Sequence, residues 1–178
     1  FQSSQWNEWM KEIDDEKLAS TYLEKNPSLK ENDVTAILLN CSAFLMEMAN
    51  KNNINIRIAY TSIVYFRRLF STTSFAEIHP YLAVPTCFYL AGKIEEMALP
   101  VSRALSLFEG VCKSHKIEPL TWTTEEVFSC ESVLLYRMNY SLLLQHPYRP
   151  LRLILSTLHC EEYLQSCLNI VNDCYYTS

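Results

Sequence analysis

Four charged residues carry the candidate chemistry of this chain: Lys93, Glu95 and Glu96 at the end of one segment, and Glu131 inside another. From Ile78 to Gly92 there is no Asp, Glu, Lys or Arg, and the run then closes on "KIEE". A segment that apolar belongs in a core. Glu131 interrupts a second apolar pattern. On a helix, at roughly 100° per residue, Val127, Leu134 and Met138 make a stripe with Glu131 in its middle. An unpaired carboxylate buried there costs several kcal/mol. It needs a lysine, a helix N-terminus or a partner protein. Lys93, delivered at the end of the buried segment, is the residue expected to share its space. The two then form either a structural salt bridge or a binding site.

Other chemistries find little support. Glu95 and Glu96 are adjacent, so on a helix they point about 100° apart and make no acid–base pair. The four histidines (79, 115, 146 and 159) are not at metal-ligand spacing, and no G-x-S-x-G or Gly-rich phosphate loop occurs. Neither catalysis, nor a metal, nor a cofactor is expected. There are seven cysteines and no C-x-x-C. Cys41, Cys87, Cys130, Cys167 and Cys174 fall inside apolar patterns and read as reduced core thiols of a cytosolic or nuclear protein. A net charge of −5 with no Lys/Arg-rich run weighs against a nucleic-acid interface. The longest charge-free run contains Pro80 and Pro85 and is too short to span a bilayer.

The elements that must position these residues are helices. Of 178 residues, 49% are hydrophobic and only two are glycine, and apolar spacing is helical throughout. A short N-terminal helix carries Trp6, Trp9 and Met10, with Ser3 or Ser4 as its cap. Helices follow at about Asn32–Asn50, Ile56–Phe70, Pro80–Glu96, Ser102–Ser114 and Thr124–Asn139. In the second of these, Ala59, Ile63, Phe66 and Phe70 form the buried stripe, with Arg67 and Arg68 on the far side. The third is apolar nearly all round and is expected at the centre, with Pro80–Gly92 the most buried run. Pro85 inside it predicts a kink or a late start. The fifth is capped by Thr123 or Thr124, with Glu126 nearby. "QHPYRP" reads as an extended linker. Two more helices follow, about Pro150–Leu158 and Glu161–Tyr176. The second presents Leu164, Cys167, Ile170, Val171 and Cys174, a face that needs a partner or further chain to cover it.

Longer motifs resemble a known family. "IAYTSIVYFRRLF" followed by "HPYLAVPTCFYLAGKIEE" is similar to the cyclin box. "FQSSQWNEW", "ESVLLYRMNYSLLLQHPYRPL" and "NIVNDCY" resemble the C class of that family in particular. The resemblance covers essentially the whole chain and is weakest over residues 11–34 and 99–124. It implies an all-α cyclin fold built of five-helix repeats. Residues 1–30 would be an N-terminal helix and linker, and residues 31–145 a complete first cyclin box. Residues 146–178 would be a linker and the beginning of a second box, incomplete here.

The resemblance also implies a non-catalytic partner of a cyclin-dependent kinase. For the C class this is the kinase of the Mediator complex, with other Mediator subunits nearby, in the nucleus. The alternatives are an H-type cyclin of a kinase-activating complex and a cyclin-fold general transcription factor. Lys93 and Glu131 match the family's kinase grip, and Leu90, Ile94, Leu135 and Tyr140 match its apolar surroundings. Glu95 and Glu96 would accept arginines near the activation segment. There is one departure. The stretch matching the substrate-docking patch of cell-cycle cyclins is "VTAILLNC", with Thr35 and Cys41 where that patch has a basic residue and a tryptophan.

Overall fold

A computed structural model describes residues 29–97, 99–118 and 120–176. The helix expected around Trp6 and Trp9 lies outside them. Among the described residues there is no strand. Five helices form a bundle: α1 (Glu31–Lys51), α2 (Ile56–Phe70), α3 (Pro80–Ile94), α4 (Val101–Ser114) and α5 (Thr124–Arg137). A pair follows, α6 (Tyr148–Thr157) and α7 (Leu164–Cys174), with a short 3-10 turn at Glu161–Tyr163 before the second.

α3 packs against α1, α2, α4 and α5, so it is the central helix, as its lack of charge predicts. Ala83, Val84, Cys87, Phe88 and Ala91 are fully enclosed. Each large apolar side chain held this way contributes about 1.5–3 kcal/mol. α2 is as thoroughly buried, because it too is covered by neighbours along most of its length. That corrects the placement of Arg68, which is buried rather than on a far side. Its guanidinium donates to the backbone carbonyl of Ser141 at 3.3 Å, beyond the end of α5. Arg67 is half-buried.

The late start that Pro85 would cause does not occur, and the reading of the linker needs revision. His79 caps α3, its Nδ1 accepting the Tyr81 N–H at 3.1 Å, and the helix begins at Pro80 and runs through Pro85. Packing on all sides outweighs the one ladder bond that Pro85 cannot make. The "QHPYRP" segment is not extended throughout. Helix α6 already begins at Tyr148, placing Pro150 in its first turn, where a backbone N–H has no intrahelical partner.

Helix ends explain the scarcity of glycine. Asn53, Glu96, Lys116, Asn139, Tyr140 and His159 all have positive φ. After α1, α3, α4, α5 and α6 the chain reverses through one of them. The next N–H then bonds back five residues: Ile54 to Ala49, Met97 to Gly92, Ile117 to Cys112, Tyr140 to Leu135 and Cys160 to Leu155. These are Schellman-type stops, usually built on glycine. They end α3 at Ile94 and α5 at Arg137, two residues short of the expected boundaries. At α5 the start follows expectation: Thr123 and Glu126 form a reciprocal capping box.

α6 and α7 pack on each other. They reach the bundle through side chains, chiefly Tyr175, whose ring stacks on Tyr60 at 4.4 Å between centroids. Leu153, Ile154, Leu158 and Ile170 stay exposed, so the bundle does not cover the outer faces of this pair.

Candidate functional site

The end of α3 meets the middle of α5 at one edge of the bundle. α3 delivers Lys93 one residue before its last, and α5 delivers Glu131 at mid-helix. Lys93 Nζ lies 2.5 Å from Glu131 Oε1, and the pair is asymmetric: 46% of the lysine side chain is exposed but only 10% of the glutamate's. The ammonium also sits 4.8 Å above the Tyr89 ring, a cation–π contact. Burial pulls the Lys93 pKa down, but the Glu131 carboxylate outweighs this and the net shift is upward. At neutral pH the lysine is therefore fully charged, with N–H groups left over for an incoming acceptor.

The other expected residues divide. Ile94 and Leu135 are half-buried on the rim. Tyr140 is 68% exposed. Leu90 is a core residue beneath the rim rather than part of its surface. Glu96 is exposed and, like Tyr140, holds a positive φ in the turn that ends its helix. A non-glycine residue in that region is strained.

Glu95 points into a different network. Its Oε2 pairs with Arg57 Nε at 2.9 Å, and its Oε1 accepts from the Thr61 hydroxyl at 2.7 Å. Since Thr61 donates there, its oxygen accepts from His146 Nε2, 2.9 Å away. The imidazole is then the neutral Nε2–H tautomer, and its Nδ1 accepts from the Tyr175 hydroxyl at 2.6 Å. A single chain of bonds thus runs from α2 and α3 through the linker to the end of α7.

Two residues of the site were missed from the sequence. Tyr89 lies one turn before Lys93, and Phe128 lies three residues before Glu131; their rings are 6.2 Å apart. Phe128 is 44% exposed and, with Leu135, continues the Glu131 face. The signal was available, since positions i, i+3 and i+7 share a helix face. What the edge offers is a charged donor, a partly screened acceptor and exposed aromatic surface, a combination suited to gripping another protein's backbone. Among the described residues no group of His, Cys, Asp or Glu could hold a metal ion, and no helix is long and apolar enough to cross a membrane.

Comparison with known proteins gives a consistent pattern. Residues 6–143 match the family profile described as "Cyclin, N-terminal domain". The chain is 28% identical over 97% of its length to Cyclin-C1-1 of Oryza sativa subsp. japonica, and spans 66% of that protein. It is 26% identical over 97% of its length to Cyclin-C of Drosophila pseudoobscura pseudoobscura, again spanning 66% of the relative. Among solved structures, a chain of the yeast TFIIK complex superposes with a TM-score of 0.73 at 22% identity, covering 99% of this chain and 76% of that one. At that identity the likeness is one of fold.

Proposed function

Since this chain belongs to the cyclin family, we propose that it is a non-catalytic regulatory subunit that binds and activates a cyclin-dependent kinase. The kinase we propose is that of the Mediator kinase module, acting on RNA polymerase II transcription in the nucleus. The C-class names of its relatives support that choice. The observation that carries the reading is the Lys93–Glu131 pair, half-open at the edge of the bundle, with Phe128 and Leu135 on the same face of α5 as Glu131.

The physical logic is population shift. A protein kinase is active when its β3 lysine pairs with the αC glutamate. A surface that holds αC inward favours that state without touching the reacting atoms. Lys93 donates to carbonyl oxygens of such a helix, Glu131 receives its N–H groups or side chains, and the apolar rim excludes water.

Affinity purification from nuclear extract, followed by mass spectrometry, identifies the kinase. A Mediator-type kinase is expected, whereas recovery of a kinase of the general transcription factor class instead would reassign the chain to the H type. Lys93→Ala and Glu131→Ala are each expected to weaken kinase binding about thirtyfold, or ~2 kcal/mol. Folded variants that bind and activate the kinase normally would refute the grip.

A further inference from the structure

A second charged surface lies between the bundle and the α6–α7 pair. An open cleft of about 560 Å³ there is lined by Arg57, Arg149 and Arg152, with Asn55, Tyr148 and Asn172 among its other walls. No acidic residue lines it. Arg57 is partly neutralised by Glu95, although 59% of its side chain remains exposed. Arg149 and Arg152 are exposed and form no ion pair with a described residue.

The helix termini add to this charge. The N-termini of α2 and α6 both border the cleft, through Asn55–Arg57 and Tyr148–Arg149. A helix N-terminus is the positive end of the helix dipole and normally attracts Asp or Glu into its first turn. Neither helix has an acidic residue there, and each has an arginine instead. α6 also lacks a side-chain cap, so backbone N–H groups remain open. Two dipole ends and two unpaired guanidinium groups thus face one space, in a chain whose net charge is −5. That overall charge disfavours a nucleic acid, which must be neutralised over many phosphates. A single dianionic group needs only this cleft.

We infer that the cleft lined by Arg57, Arg149 and Arg152 binds a phosphorylated serine or threonine of a partner peptide. Arg149 and Arg152 grip the phosphate through bidentate N–H pairs, as planar guanidinium groups do. Arg57 adds long-range attraction. The peptide backbone runs past Tyr148 and the Asn172 amide, whose oxygen already accepts the Tyr148 hydroxyl at 2.9 Å and whose NH2 is free to donate. This site is separate from the Lys93–Glu131 edge and does not depend on the kinase reading.

The test uses the 178-residue chain and fluorescein-labelled degenerate peptides with a central phosphoserine or phosphothreonine, beside their unphosphorylated counterparts. Phosphorylated peptides are expected to bind at least tenfold tighter. The Arg149→Gln/Arg152→Gln variant should lose at least tenfold with an unchanged melting temperature, both side chains being exposed. Arg149→Lys/Arg152→Lys should fall between, because lysine keeps the charge but not the fork. Equal binding of the two peptide sets, or parental binding by the glutamine variant, would overturn the assignment. Binding of inorganic phosphate with no gain for phosphopeptides would overturn it too, as would displacement of the peptide by a lower concentration of oligonucleotide.

Discussion

Lys93 and Glu131 share one short ion pair but not one environment: the ammonium is half in solvent and the carboxylate is almost wholly out of it. This asymmetry sets the cost of breaking the pair. Lys93→Ala strands a largely buried carboxylate, an expected loss of about 1–3 kcal/mol of folding stability. Glu131→Gln keeps an acceptor and frees a lysine that water can solvate, an expected loss of about 0–1 kcal/mol. Thermal or urea unfolding of the two free variants checks this, and a larger loss for the glutamine variant would contradict it. A pair free to open on both sides would have given equal, small losses; the burial of Glu131 removes that symmetry.

Substrate peptides of the R-x-L type are not expected to dock on α1. The position that would offer an aromatic platform holds Cys41, which is 1% exposed, and the basic position holds the uncharged Thr35. Neither a stacking surface nor a local charge is available. Calorimetry with such a peptide should give a Kd no tighter than about 1 mM, or about 4 kcal/mol. Micromolar binding abolished by a change at Val34 would show that the patch works by other means.

Acid should loosen the contact between the linker and the bundle. Burial lowers the pKa of His146, Glu95 opposes this in part, and Arg57 adds to it. The folded imidazole therefore resists a proton that the unfolded chain accepts below about pH 6.5. Its contribution to stability is complete above that pH and is lost as the pH falls toward the lower folded value. His79 is lowered by burial as well and acts with the same sign. Melting temperatures between pH 7.5 and 5.5 should fall more steeply for the parent than for His146→Gln, which retains the His79 effect. Parallel profiles would remove His146 from the account.

Thiol reactivity should separate two classes of cysteine. Burial, with Cys112 beside it, pushes the Cys41 thiol up to about 12, and burial raises Cys87 and Cys130 as well. Since the thiolate is the nucleophile, these should label slowly at neutral pH. Cys174 is exposed, and Cys160 and Cys167 are partly so. Mass-mapped labelling of the native protein should find Cys174 first. Fast labelling of Cys41 or Cys87 would contradict their burial.

Much of this protein is local and therefore readable in order. A 3.6-residue apolar period announces each helix, the charge-free run from Ile78 to Gly92 announces the central one, and Glu131 in an apolar stripe demands a cation. None of these inferences needs to know what lies across the bundle. The exceptions all involve residues distant in sequence. Arg68 reads as solvent-facing until the chain beyond α5 brings it the carbonyl of Ser141. Glu95 reads as a companion of Glu96 until Arg57 and Thr61 converge on it, with His146 behind Thr61, while Glu96 stays exposed on a positive φ. Pro85 allows a late start until packing on every side holds the helix from Pro80 through it. Arg57 and Arg149 stand 92 positions apart, and only the docking of α6 and α7 places them in one cleft. Helical period is a property of neighbours along the chain, whereas the partner of a charge is a property of neighbours in space, and only folding chooses those.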